Sequence, residues 1–178
     1  MGKNVVIISS SPRKKGNSDL LCDSFMKGAR ESGHTVTKIL LRDMIIGGCY
    51  GCYTCERTGA CVQKDDMTEV LDKLVKADVI VMASPVYFYT ICSQMKQLID
   101  RCIARWLEFH NKEFYYIVTA ADTDQANLVR AVECFRGFAE CLDGSEEKGV
   151  IYGAGAQNKG DVETMPVMQE AYEMGKSV

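Results

Sequence analysis

Residues 5–18, VVIISSSPRKKGNS, decide the fold. Val5, Val6, Ile7 and Ile8 form a β-branched run without polar alternation, the pattern of a strand buried on both faces of a parallel sheet. The chain then turns polar, with serines, a proline, three cations and a glycine before residue 18. From 18 to 32 it reads as a helix: Leu21, Phe25 and Ala29 share one face, and Gly33 supplies the stop. Strand, polar loop and helix make up the repeating unit of an α/β fold.

The unit recurs along the chain. Residues 35–41 read as the second strand, and Met67, Val70, Leu71, Leu74 and Val75 form an i, i+3, i+4, i+7, i+8 stripe on the second helix. Strand three is expected at 78–83, and Met95, Leu98, Ile99, Cys102 and Trp106 mark helix three, with Trp106 as a packing residue. Strand four falls at 114–120, helix four carries Leu128, Val132, Phe135, Ala139 and Leu142, strand five spans 150–153, and a helix at 166–174 closes the series. Five strands alternating with helices predict a parallel sheet covered on both faces, with ligands beyond the carboxyl ends of the strands.

At 178 residues and 47% hydrophobic content, the chain is expected to form a single domain over 1–178. The net charge of −3 is carried by scattered residues, so no nucleic-acid or membrane partner is expected. With only Met1 to Asn4 before the first apolar run, no signal peptide is expected, and no apolar run is long enough to span a membrane. The expected location is cytoplasmic. In a reducing compartment nine cysteines point to metal, redox work or core filling. Cys22, Cys92, Cys102, Cys134 and Cys141 fall in helical patterns and are expected to be small buried hydrophobes. His34, in a turn, and His110, at a helix end, are expected to be solvated; without a nucleophile elbow, a hydrolytic triad is not indicated.

Residues 9–18 lie between strand one and helix one, where backbone N–H groups and the positive helix end attract an anion. The hydroxyls of Ser11 and Ser18, the Asn17 amide and the Arg13 guanidinium add donors, and Gly16 lets the backbone approach closely. A dianionic monophosphate suits this array; a polar helix cap would use several of the same residues. Neither G-x-x-x-x-G-K-[ST] nor G-x-G-x-x-G is present, which argues against a nucleoside triphosphate and a Rossmann-bound dinucleotide. After strand three, Pro85 fixes the backbone and Tyr87, Phe88 and Tyr89 offer edges on which a flat aromatic ligand stacks. Tyr89 is expected in the core or at a subunit interface.

SSSPRKKGNS (9–18) resembles the FMN-phosphate loop of the NADPH-dependent FMN reductase group, within the flavodoxin-like superfamily. SPVYFYTICSQMKQLIDR (84–101) is similar to that group's second flavin loop and following helix, and CVQKDDM (61–67) and GVIYGAG (149–155) also fit its pattern. The resemblance implies a flavodoxin-like, doubly wound, five-stranded parallel sheet of order 2-1-3-4-5 with helices on both faces. It implies that Ser11, Arg13, Gly16, Asn17 and Ser18 hold the FMN phosphate, that Pro85, Val86, Tyr87 and Phe88 line the ribityl chain and ring edge, and that the loop from Thr119 to Asp122 closes the other side. It further implies an oxidoreductase passing reducing equivalents from NAD(P)H to a flavin, quinone or other small acceptor, and a homodimer or homotetramer.

From 42 to 65 no periodic segment appears, and a loop of that length is uncommon unless functional. It holds Cys49, Cys52, Cys55 and Cys61, spaced C-x2-C-x2-C-x5-C, with Gly47, Gly48, Gly51 and Gly59 to let the backbone wrap closely. The spacing resembles the cluster loop of iron-sulfur flavoproteins, which implies a [4Fe-4S] cluster on the four cysteines, relaying electrons between ferredoxin and FMN. It differs from the C-x2-C-x2-C-x3-C-P run of bacterial ferredoxins, and Val62 stands where the proline would be. Reduced or reversibly oxidised thiols, acting as a redox sensor, are the alternative; zinc fits less well because its structural sites usually divide the ligands into two separated pairs. Asp65 and Asp66 are expected to cap helix two.

Overall fold

A computed structural model describes residues 2–178; Met1 lies outside the described residues. Five long strands, β1 (Asn4–Ser9), β2 (Thr35–Leu40), β3 (Val79–Tyr87), β5 (Glu113–Ala120) and β6 (Glu146–Ala154), form a parallel sheet of order β2-β1-β3-β5-β6. A two-residue strand, β4 (Thr90–Ile91), folds back antiparallel on the end of β3. Setting β4 aside, the order of the long strands is the expected 2-1-3-4-5.

The strands alternate faces residue by residue. Val6, Ile8, Ile80, Met82, Phe114, Tyr116 and Val118 point to one side, where they meet α3 (Met67–Lys76), α4 (Ser93–Arg101) and α5 (Val129–Ala139). Val5, Ile7, Val79, Val81, Tyr115 and Ile117 point to the other, beneath α1 (Asn17–Glu31) and α6 (Val167–Lys176). The unalternating apolar strands are therefore those of a sheet with two cores. α1 and α6 approach so closely that a Cβ on Gly28 would lie 2.1 Å from the Tyr172 carbonyl oxygen, and one on Gly175 2.1 Å from that of Phe25.

Three regions depart from expectation. Extended pairing in β3 continues past residue 83 to Tyr87 and turns back into β4, so the second loop is a hairpin. Its tip residues, Phe88 (φ 49°) and Tyr89 (φ 64°), are left-handed; the Gly or Asn that normally announces such a turn is absent. Helix three stops at Arg101, and Trp106 sits in a separate 3-10 turn (Trp106–Glu108). The cysteine loop contains one short helix, α2 (Thr54–Thr58), opened by Tyr53 and closed by Gly59, both left-handed. No helix among the described residues is long and apolar enough to cross a membrane.

Candidate functional site

At the carboxyl edge of the sheet the loops after β1 and β3 brace each other, and the loop after β5 is braced by the segment that follows β6. The Ser10 N–H and hydroxyl both donate to the Ala83 carbonyl (3.0 and 2.8 Å), the Cys92 thiol donates to Ser10, and the Cys92 N–H reaches Ser84 Oγ at 2.9 Å. On the other side the Ala156 N–H donates to Ala120 O at 2.8 Å, and Gly155 N–H to Asp122 O at 2.7 Å. Asp122 also accepts from the Asp124 N–H and the Asn127 amide, and Thr119 is buried against Gly153.

Within residues 9–18 the backbone turns through Lys15, whose φ of 55° is left-handed. The Gly16 N–H closes onto Arg13 O at 3.0 Å and the Ser11 hydroxyl onto the same oxygen at 3.2 Å. A Cβ at Gly16 would stand 2.4 Å from Ser11 Oγ, so no larger residue fits without opening the turn. α1 begins here, and its first N–H groups, on Asn17, Ser18 and Asp19, have no partner within the helix. The Ser18 hydroxyl is buried without any hydrogen-bond partner, a costly state for a polar group inside a protein. Arg13, Lys14 and Lys15 are exposed around it.

Asn17 departs from expectation. Its side-chain amide donates to the carbonyls of Ala156 (3.0 Å) and Asn158 (2.8 Å) and accepts from the Gly160 N–H (3.0 Å). It ties the phosphate loop to the segment after β6, which leaves only its backbone N–H to face an anion. Asp19 puts a carboxylate beside the loop, but Lys38 bonds it and Arg42 reaches Oδ2 at 3.0 Å. Burial alone would raise the Asp19 pKa; Lys38 and Arg42 more than offset that and hold it below the usual value. The carboxylate is thus neutralised by neighbours and does not repel an incoming anion.

Pro85 and Val86 are half-buried on β3, while Tyr87 is exposed and Phe88, at the hairpin tip, is 99% exposed. Tyr89 is neither core nor covered within the chain: half of its surface is open, and the Arg130 guanidinium lies 5.4 Å from its ring.

The cysteine loop is pinched at a neck. Ile45 N–H donates to Asp66 Oδ2 (2.6 Å), Asp66 N–H to Ile45 O (3.1 Å), Gly47 N–H to Asp65 Oδ2 (3.0 Å), and the Gln63 amide to Gly48 O (2.9 Å). Arg101, at the end of α4, clasps this neck. Its Nη1 donates to Gly47 O at 2.9 Å and to Asp65 Oδ2 at 2.7 Å, and its Nη2 to Asp65 Oδ1 at 2.9 Å. These bonds hold the Asp65 pKa down at about 2. The capping expectation holds for position and not for the carboxylates: Asp66 is the N-cap of α3 and its carbonyl accepts the Val70 N–H, but its side chain bonds Ile45 across the neck, while Asp65 takes the Met67 N–H and has Arg101 as its main partner.

Cys49, Cys52, Cys55 and Cys61 all line one pocket of 520 Å³, walled by Ile99, Ile103, Trp106, Phe138 and Leu142. They share the pocket without closing to ligand distance: no group of three His, Cys, Asp or Glu poised for a metal ion occurs among the described residues. Gly48, Gly51 and Gly59 have open space around them, so the loop backbone has room to adjust. The Cys52 thiol, exposed, is lowered by its hydrogen bond to Thr54. Cys22, Cys92 and Cys102 are buried as expected, with burial pushing Cys22 up to about 12. Cys141 is not buried: it lies past the end of α5, is exposed, and lines the same pocket, while Cys134 is half-buried. His110 is exposed, but His34 is half-buried and its Nδ1 accepts the Lys3 N–H at 3.0 Å.

Among curated proteins, an iron-sulfur flavoprotein of Archaeoglobus fulgidus is 41% identical over 96 residues, 54% of this chain and 44% of that protein. An iron-sulfur flavoprotein of Methanosarcina thermophila is 33% identical over 96 residues, 54% of this chain and 50% of its own. The chain thus spans about half the length of these curated relatives. Among solved structures, the NAD(P)H:quinone oxidoreductase from Methanothermobacter marburgensis superposes with a TM-score of 0.75 at 15% identity, covering 99% of this chain and 97% of that one. An FMN-dependent NADH-azoreductase from Bacillus anthracis, in complex with FMN, gives 0.73 at 17% identity, covering 98% and 96%. At such identities the superpositions establish the flavodoxin-like fold. The profile of the NADPH-dependent FMN reductase family matches residues 3–133, and the chain, with its sheet order and braced loops, belongs to that family.

Proposed function

We propose that the chain is an FMN-dependent oxidoreductase that takes reducing equivalents from NAD(P)H and passes them to a flavin, quinone or other small acceptor. The observation that carries this reading is the cradle at the start of α1: a glycine turn that excludes a Cβ, unpaired helix N–H groups, and the buried, unpartnered hydroxyl of Ser18. A phosphate there receives the Ser18 O–H and the N–H groups of Asn17, Ser18 and Asp19, with the helix dipole and Arg13 adding charge attraction. Pro85 and Val86 offer a fixed wall for the flat ring, and Thr119 and Asp122 bound the opposite side. FMN, when bound, supplies the hydride and electron chemistry. The exposed aromatic tip at Tyr87, Phe88 and Tyr89 supports a homo-oligomer in which a second copy covers the ring. Nine cysteines gathered in redox, metal-type and core positions suit a reducing, cytoplasmic setting.

The cysteine pocket favours a second reading of the electron donor, in which Cys49, Cys52, Cys55 and Cys61 hold a [4Fe-4S] cluster and ferredoxin supplies electrons one at a time. Four thiols facing one apolar-walled pocket suit a cluster, and the iron-sulfur flavoprotein relatives support it. Anaerobic steady-state assays separate the donors. Oxidation of NADH or NADPH with quinone or free flavin as acceptor supports the first reading. Flavin reduction by reduced ferredoxin alone supports the second, and reduction by neither rejects both.

A further inference from the structure

Arg101 does more than an ion pair requires. It is only 2% exposed, yet it stands in the wall of the cysteine pocket and is the one cation among its lining residues. Its two terminal nitrogens are engaged by Asp65 and Gly47, whereas Nε is buried with no hydrogen-bond partner. Burial works against the Arg101 charge, which its two bonds to the Asp65 carboxylate offset; Cys61 lines the same pocket. The guanidinium fork is rigid, so fixing both Nη atoms on Asp65 and Gly47 also fixes where the Nε–H points. Because Asp65 balances the charge, what Arg101 has left to offer a neighbour is an N–H dipole rather than a full positive charge.

We propose that Arg101 is a positioning residue of the cysteine pocket, donating its Nε–H to the Cys61 sulfur or to a sulfide of the cluster held there. This rests on the cluster reading above. Hydrogen bonds to sulfur are among the features that set a cluster's reduction potential. A donor stabilises the more negative, reduced state, so its removal makes reduction harder. Arg101→Lys keeps a cation but loses the Nε–H, whereas Asp65→Asn keeps the Nε–H and unmasks the Arg101 charge. Both weaken the neck and lower thermal stability, but they shift the potential in opposite directions.

The test is an EPR-monitored redox titration of anaerobically reconstituted wild type, Arg101→Lys and Asp65→Asn, with iron and sulfide analysis and a thermal melt on each. The reduction equilibrium constant is expected to fall roughly tenfold in Arg101→Lys, about 59 mV for a one-electron step, and to rise in Asp65→Asn. Melting temperatures that fall in both variants with potentials unmoved in either would leave Arg101 a structural clasp and overturn the proposal, as would shifts of the opposite sign. If Arg101→Lys takes up no iron, Asp65→Asn decides: an upward shift supports the proposal, and an unchanged potential overturns it. A wild type that takes up no iron overturns the cluster reading itself, an outcome distinct from the others.

Discussion

Residues 9–18 and residues 44–66 both leave the carboxyl end of a strand and lead into a helix, β1 into α1 and β2 into α3, yet they are organised in opposite ways. In the phosphate loop Ser10, Ser11, Gly16, Asn17, Ser18 and Asp19 are buried, and the end of β3 and the segment after β6 brace it. In the cysteine loop the order lies at the neck: Asp65, Asp66 and Arg101 fix the two ends, and the thiols between them are exposed or half-buried. The first is a rigid mould for a small anion. The second is a tethered flap whose ends are set and whose middle has room to close. The two are also apart: α4 starts beside the phosphate loop at Cys92 and ends in the cysteine pocket at Arg101, and its nine residues span on the order of 13 Å.

Paired glycine substitutions test this contrast most severely. Gly16→Val places a branched side chain where even a Cβ would be 2.4 Å from Ser11 Oγ. FMN affinity, measured by fluorescence quenching on the apoprotein, is expected to fall about 100-fold or more, ~3 kcal/mol. Gly59→Ala, with no atom within 4 Å of its Cβ, meets only left-handed strain of about 1–2 kcal/mol and leaves FMN affinity unchanged. Equal losses of FMN in the two variants would break the distinction.

Next in size is the neck. The Asp65 pKa is depressed from 3.8 to about 2, so its contribution is fully present above about pH 4 and is lost as the pH falls toward 2. That contribution is on the order of 2 kcal/mol. Asp65→Asn is expected to lower stability by about that amount at neutral pH and to flatten the acid limb of a stability-against-pH profile from denaturant melts. FMN affinity should not change; a large fall would show that the two loops share one scaffold.

Ser18→Ala gives a smaller and opposite-signed pair of effects. Removing a buried hydroxyl without a protein partner should leave apoprotein stability level or slightly raised, while FMN binding weakens about tenfold, ~1.4 kcal/mol. The hairpin tip gives the smallest change. Tyr89→Gly removes left-handed strain and should raise apoprotein stability by about 1 kcal/mol in thermal melts, less the loss of the Arg130 contact.

Much of this was legible from residue patterns. Unbroken β-branched strands announced the two-faced sheet, and the serine, glycine and cation run after β1 marked the anion site. The hairpin after β3 was hidden because Phe88 and Tyr89 occupy its left-handed positions and carry no turn signal. The Asn17 amide has the pattern of a phosphate donor, and sequence gives no hint that residues 156–160 return to occupy it. The clasp was hidden by distance, since Arg101 lies far along the chain from Gly47 and Asp65. One signal was available: Arg101 follows Leu98 by three residues and so continues the buried stripe of α4, where an unpaired cation is not tolerated. The expected burial of Cys141 fails for a related reason, because it lies just past the end of α5, where helical periodicity no longer predicts facing.

The most direct test is a visible spectrum of protein purified without oxygen, with flavin extraction and iron and sulfide analysis on the same sample. The account predicts equimolar FMN with its flavin band; on the cluster reading, that band is overlaid by broad absorbance that bleaches with dithionite, and iron and sulfide vanish in Cys55→Ser while FMN stays. Protein that neither carries FMN nor takes it up on reconstitution would contradict the central claim.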